Sequence, residues 1–316
     1  MLCNKPYFIR ISLMVFIILI ILTLYTNKTV SSKDNILNEK PIAVMIGNST
    51  AEQEIQKGLS KAEIIYEIEV EFPFTRLMAI FLNDQDTIVG PVRSSRYYFS
   101  RICAEWSAVF AHCGGQNLKN PNILDIDQIQ HPSPYWRNEK IGGWINLFTS
   151  TAKIAQEIKD YNDTGNGNQY NHNLLNYSEL DLKDSNQIKK ITVKYHSDYI
   201  ISYEYHDDQG KYYRYINQKP HIDQANDEQI GVSNIIIQYT SVDKIEGDDE
   251  GRVNVELIGE GIAGIFSRGT YQLVKWMKEN KNKQTLFLDE EGLPIAYNHG
   301  NTWIHLLSSD SEVWFK

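Results

Sequence analysis

Two apolar stretches of this chain run directly into glycine-bearing turns, and that junction restricts the fold more than any other feature. Residues 87–89 lead into Gly90-Pro91-Val92-Arg93-Ser94-Ser95-Arg96, and residues 108–111 lead into His112-Cys113-Gly114-Gly115. Between them Tyr98, Phe99, Ile102, Cys103 and Trp106 recur at helical spacing, with Ser94 or Ser95 placed as N-cap. Strand, turn, helix and strand in succession make an α/β unit, and ligands of such sheets bind outside the carboxyl ends of the strands. A short apolar run at 41–47 ending in glycine, runs at 64–70 and 74–82, and a second helical period over 151–161 with Ile154, Ala155 and Ile158 on one face extend the pattern. Thr149 or Ser150 is placed to cap that second helix.

From about residue 188 the period changes. Eight short runs, at 191–195, 200–205, 212–216, 235–239, 253–258, 271–276, 285–288 and 302–307, read as strands, with turn sequences at 207–210 and 289–292. The expected class is α+β: a mixed α/β domain over 40–185, then a mostly antiparallel β domain over 186–316. An N-terminal hydrophobic anchor helix precedes them.

That anchor is expected in residues 1–30, and 31–39 are polar and tether-like. Lys5 and Arg10 precede an apolar run over 11–25 that only Ser12 and Thr23 interrupt, the pattern of an export segment. No small-x-small cleavage site follows, so an uncleaved signal anchor is expected first and a cleaved, secreted form second. The preceding basic residues keep the N-terminus cytoplasmic and place the main body outside the cell membrane. Lys5, Arg10 and Lys28 are the only charges in the first thirty residues. Of the 31 basic and 40 acidic residues, the remainder therefore holds 28 and 40, a balance of −12. Such a body does not suit nucleic acid or broad adhesion to anionic surfaces, so any anion site must be local.

The arginine segment is the best candidate for such a site. Arg93 and Arg96 flank the expected helix start, where guanidinium forks, the Ser94 and Ser95 hydroxyls and free N–H groups suit a phosphate or carboxylate. The alternative is that the arginines pair with Glu67, Glu69 or Glu71 and a serine merely caps the helix. His112 is a candidate general base or ligand donor, or else a strand-end histidine satisfied internally. Gly114 and Gly115 would let a ligand approach closely. Arg137 lies within reach of the same cleft, with Trp136 as a stacking wall and Asn146 to orient the ligand. Glu67, Glu69 and Glu71 share one strand face; Glu67 is the best of them for acid–base work, against the alternative of a solvated face. His221 and Asp223 give a weak metal signal or a turn hydrogen bond. Cys103 and Cys113 are two thiols or one disulfide. No phosphate loop, nucleophile elbow, Cys–His arrangement or zinc-protease helix is present, and neither metal nor cofactor is expected.

Taken together, these landmarks resemble the YerB-like family of bacterial envelope proteins, whose two regions are domains of unknown function. In the first half the resemblance rests on Pro41-Ile42-Ala43-Val44-Met45-Ile46, Gly58-Leu59-Ser60, Ile65-Tyr66-Glu67, Thr75-Arg76-Leu77-Met78-Ala79, the Gly90–Arg96 and His112–Gly115 segments and Trp136-Arg137. In the second half it rests on Tyr213-Arg214, His221-Ile222-Asp223, Asn234-Ile235-Ile236, Gly259-Glu260-Gly261, Trp276-Met277-Lys278 and Gly300-Asn301-Thr302-Trp303-Ile304. The resemblance implies architecture and location and supplies no activity. Two departures stand out. Similar proteins are usually lipidated at a cysteine just after the signal segment, where this chain has none, Cys3 lying ahead of the apolar run. They also tend to carry a histidine where this chain has Ile145.

The expected function is therefore a membrane-tethered extracytoplasmic protein that binds an anionic envelope component, a peptidoglycan fragment or phosphate-bearing polymer. Its partners would be that ligand and the membrane, with no nucleic acid. The rival readings are an envelope hydrolase or transferase with His112 as general base, and an envelope scaffold.

Overall fold

Strands of a central sheet are buried on both faces, and Ile64–Glu71 is one of these despite its three glutamates. Ile64, Tyr66 and Ile68 point into one core and Ile65 into the other. Its neighbour Phe74–Phe81 divides the same way, with Met78 and Ile80 on one side and Leu77, Ala79 and Phe81 on the other. The computed structural model describes residues 40–82, 86–115, 123–162, 187–281 and 283–316. The expected anchor, the tether and the polar stretch after Asn162 lie outside the described residues.

The protein is mostly β. Its ten-stranded sheet runs in the order Leu286–Leu288, Thr270–Lys278, Gly259–Ser267, Asn234–Tyr239, Thr302–Leu307, Ile64–Glu71, Phe74–Phe81, Ile42–Gly47, Val109–His112, Asp125–Asp127. The first five strands come from the second half of the sequence and the last five from the first. The join is a parallel pairing of Thr302–Leu307 with Ile64–Glu71, in register from Ile64 opposite Thr302 to Ile68 opposite Leu306. Both halves thus contribute strands to one mixed sheet, an association that the separate sequence patterns of the two regions did not reveal. Its parallel joints also include Asn234–Tyr239 with Thr302–Leu307 and Ile42–Gly47 with Val109–His112. Parallel neighbours need long crossovers, and here the crossover between the halves spans most of the chain, beyond the reach of local pattern.

The layers on the two faces are different. The helix Tyr97–Glu105 lays Tyr98, Phe99, Ile102 and Cys103 on one face, alongside Val253 and Val255. The opposite face is covered by the helix Thr151–Asn162, through Ile154, Ala155 and Ile158, and by an antiparallel six-stranded sheet. That sheet contains Lys190–His196, Tyr199–His206, Lys211–Ile216 and Glu312–Phe315 and buries Ile191, Val193, Ile201, Tyr203 and Tyr212. Each such side chain contributes about 1.5–3 kcal/mol of burial. Ser150 caps the second helix, its hydroxyl accepting from Lys153 N at 3.3 Å. The first helix has Arg96 as N-cap, in place of the expected serine. Ser95 is committed elsewhere: its N–H donates to Gly114 O at 3.0 Å and it bridges Gly115.

The strand Gly259–Ser267 gave no signal in the sequence because three glycines interrupt it. For Gly261 and Gly264 the reason is steric and comes from the neighbouring strand. A Cβ on Gly261 would lie 2.6 Å from Trp276 Nε1, and one on Gly264 would lie 2.9 Å from the Tyr271 ring. Gly261→Ala should therefore lower stability by about 1–3 kcal/mol through overpacking. A fall in the urea midpoint with little change in slope would show it; an unchanged midpoint would mean that Trp276 moves aside freely.

Candidate functional site

The parallel strands Ile42–Gly47 and Val109–His112 end side by side, and the arginine segment is threaded between their carboxyl ends. Arg93 N donates to Met45 O and Cys113 N donates to Arg93 O, both at 3.0 Å. The Arg93 side chain, nine-tenths buried, turns to a short helix, Thr50–Gln53, and ion-pairs with Glu52. Glu52 also accepts from Ser49 N at 2.8 Å, closing a capping box. Gly47 admits this carboxylate, since a Cβ there would overlap it. On the other side Arg93 Nη1 donates to Trp144 O at 3.0 Å, and its guanidinium stacks 3.8 Å from the Trp144 ring centroid. Burial lowers the Arg93 pKa although Glu52 opposes the shift.

Arg96 and Arg76 complete the cluster. Arg96 pairs with Glu71 and donates to Ser95 O at 2.7 Å. Arg76 pairs with Glu71 at 3.2 Å and donates to Ser94 O at 2.7 Å. A register shift between Glu69 and Glu71 breaks the strand's alternation, so the three glutamates do not share one face. Glu71 meets the arginines while Glu67 turns inward. Three guanidiniums are thus matched by two carboxylates in direct contact. Arg93 Nη2 and Arg96 Nε have no partner at all, and they are the only such buried side-chain atoms among the described residues.

The remaining candidates are distributed unevenly. Arg137 is exposed and donates to Asn146 Oδ1 at 2.8 Å; its charge is felt at the half-buried Cys113 thiol, as is that of Arg93. Trp136 faces the other way along its strand, with Lys153 Nζ 5.9 Å from its ring. The aromatic at the cleft is Trp144, which the sequence did not single out and which is 70 % exposed. Gly115 admits the chain itself and no ligand, because a Cβ would lie 2.5 Å from Ser95 O. Gly114 N donates to Asp127 Oδ1 at 2.7 Å. His112 is buried with Nε2 at 2.6 Å from Asp125 Oδ1 and Nδ1 at 2.9 Å from Gly114 O. Both partners are acceptors, so no nitrogen lone pair is turned toward a ligand and the geometry does not suit a general base. Cys103 and Cys113 are free thiols. No group of three or more metal-ligating side chains occurs among the described residues.

Glu67 is also unsuited to catalysis, for a different reason. It is fully buried at the junction of the two halves, where Oε2 accepts from Arg214 Nη2 at 2.9 Å and Trp303 Nε1 at 3.0 Å. Its Oε1 accepts from the Tyr199 hydroxyl at 2.6 Å, Thr75 Oγ1 at 3.1 Å and Asn48 Nδ2 at 3.2 Å. Burial raises its pKa, but Arg214, His305 and the hydrogen bonds outweigh burial and the net shift is downward. Around it, His305 lies between the Tyr195 and Tyr203 hydroxyls at 2.9 and 2.8 Å. His221 accepts from Arg214 Nη1 through Nδ1 at 2.5 Å and faces Gln56 Oε1 through Nε2 at 2.6 Å. Asp223 takes Ser60 N at 2.8 Å and Gly58 N at 3.0 Å. The His221–Asp223 pair is therefore a latch between the halves.

Residues 26–164 match the family model described as the N-terminal domain of a protein of unknown function (DUF3048), and residues 191–304 match the model of its C-terminal domain. YerB of Bacillus subtilis (strain 168), provisionally named a lipoprotein, is 26 % identical over 291 residues, 87 % of this chain and 83 % of its own. The crystal structure of YerB from Bacillus subtilis superposes with a TM-score of 0.75 at 23 % identity, covering 87 % of this chain and 93 % of that one. At that identity the superposition shows the fold alone.

The buried network makes stability depend on pH. Burial lowers His305 from 6.5 to about 4 and puts His221 well below its ordinary value. Unfolding thus takes up protons below 6.5, and the stability these groups carry is complete above that pH and lost as pH falls toward about 4. Glu67 adds to the loss only below its ordinary 4.5. Each histidine should contribute a slope of about 1.4 kcal/mol per pH unit. Urea unfolding of His305→Gln should show a lower midpoint at neutral pH and a shallower decline on acidification than the parent. Arg214→Met, which strands a buried carboxylate, should cost about 3–5 kcal/mol. Equal slopes for His305→Gln and the parent would exclude His305 as a source of the pH dependence.

Proposed function

Because the chain belongs to the YerB-like family, whose two domains are of unknown function, we propose that it is an envelope-associated protein that binds an anionic group at the arginine cleft. The preferred ligand is a peptidoglycan fragment or phosphate-bearing polymer, and the protein is held at the membrane through residues 11–25. The observation that carries this reading is the pair of partnerless guanidinium nitrogens, Arg93 Nη2 and Arg96 Nε. A buried donor without an acceptor costs about 1–3 kcal/mol, and an incoming phosphate or carboxylate oxygen would relieve it. Envelope association is supported by the lipoprotein name of the Bacillus subtilis relative.

Two further features favour a ligand at this cleft. The first described residue, Lys40, leads into the strand Ile42–Gly47, which ends beside Arg93. The cleft therefore opens about 20 Å from the point where the N-terminal segment joins, at about 3.3 Å per strand residue. Trp144 covers Arg93 and follows Gly142 and Gly143, which are exposed and have nothing packed where a Cβ would sit. Its exposed face is the stacking surface for a sugar ring, and Arg137, whose charge reaches Cys113 as that of Arg93 does, adds charge.

Calorimetry of the purified full chain with inorganic phosphate and with a phosphate-bearing wall polymer tests this. Arg137→Gln and Trp144→Ala, both at exposed positions, should each weaken binding by about ten-fold at unchanged melting temperature. Absence of saturable binding, or equal binding by both variants, would end the reading.

A further inference from the structure

The helix Thr50–Gln53 has two working sides. Glu52 turns to Arg93, while Thr50, Gln53 and the C-cap residue Glu54 line a separate cavity of about 290 Å³. Its opposite wall comes from the second half of the chain, around Ile216, Lys219 and Ile222. The cavity thus straddles the seam between the halves, a common location for small-molecule sites.

Charge at this seam is otherwise spent. Arg214 is held by Glu67, Asp223 by the Gly58 and Ser60 amides, and His221 by Arg214 and Gln56. Glu54 and Lys219 are the exceptions. Both line the cavity, and neither side chain forms an ion pair or hydrogen bond with the other or with any described residue. Lys219 is not on a loose loop. It pairs with Ile216 across a two-residue turn, Asn217 and Gln218, both in the left-handed region at φ 47° and 67°. This is the geometry of a tight hairpin turn. Asn217 locks the turn, donating to Asp198 O at 2.7 Å and accepting from Ile200 N at 2.9 Å. The backbone bearing Lys219 is therefore set before any ligand arrives. The cavity offers a carboxylate, an ammonium and, from Ile216 and Ile222, an apolar wall.

We propose that this cavity is a second binding site, for a small zwitterion of amino-acid or dipeptide size. Glu54 takes the ligand's ammonium, Lys219 takes its carboxylate, and Ile216 and Ile222 take its apolar side chain. The arginine cleft has no carboxylate left unpaired for an ammonium, so the two sites select different chemistry.

The test is calorimetry of the full chain with alanyl-alanine and with free leucine, each alongside its N-acetylated and C-amidated form. Saturable binding of at least one unblocked probe is expected, weakened by about ten-fold or more when either terminus is blocked. Glu54→Gln and Lys219→Met should weaken it similarly. Both residues are exposed and unpaired, so melting temperature should hold. Phosphate binding, measured in the same variants, should be unchanged and separates failure here from failure at the arginine cleft. No saturable binding of either probe at millimolar concentration, or equal binding of blocked and free forms, overturns the proposal. Full retention of binding by both variants overturns it as well.

Discussion

Glu67 and Arg214 form an ion pair with no exposure to solvent, and much of the tertiary arrangement can be understood as what such a pair demands. Removing two charges from water costs several kcal/mol per ion, recovered only when geometry is good and every remaining lone pair and proton is satisfied. Here the carboxylate accepts from five donors, and Trp303 offers its ring to the guanidinium at 4.4 Å from the centroid. Those groups come from both halves of the chain. Separating the halves would break the pair and take most of these donors from Glu67.

The same logic recurs at smaller scale along the seam. Asp223 of the second half caps the turn at Gly58 and Ser60 of the first. Buried Lys278 pairs with Glu105 at the end of the helix Tyr97–Glu105. Together with the parallel pairing of Thr302–Leu307 against Ile64–Glu71, these contacts make the ten-stranded sheet a single mechanical body. Both proposed sites use that rigidity. The arginine cleft stands at the carboxyl ends of its strands, and the zwitterion cavity stands between elements that the latches hold at fixed spacing.

The two buried polar clusters differ in one informative way. Around Glu67 the accounting is closed, which is the signature of a structural network. Around Arg93 and Arg96 it is open, because two guanidinium nitrogens are buried without acceptors. Two of the three arginines there, Arg76 and Arg96, share the single carboxylate of Glu71. An imbalance kept out of water is more readily understood as accommodation of an outside anion than as a stabilising device.

Local signals in the amino-acid sequence were enough to find most elements. The helical period at Tyr98, Phe99 and Ile102, the turn at 207–210 and the alternation at 212–216 need only neighbours within a few residues. They were also enough to mark Arg93, Arg96 and Arg137 as charges worth explaining. What they did not carry was partnership. Nothing in the sequence marked Glu52 as the mate of Arg93, and Trp144 has no period to distinguish it. Glu67 looks like an exposed acid until Arg214, 147 positions later, arrives beside it. Glycines at 261 and 264 hide a strand because the rings that require them belong to the next one. Short-range pattern reports what a segment can do alone. Whether a charge ends up paired, orphaned or sealed from water depends on contacts between distant segments, and only the folded chain decides those.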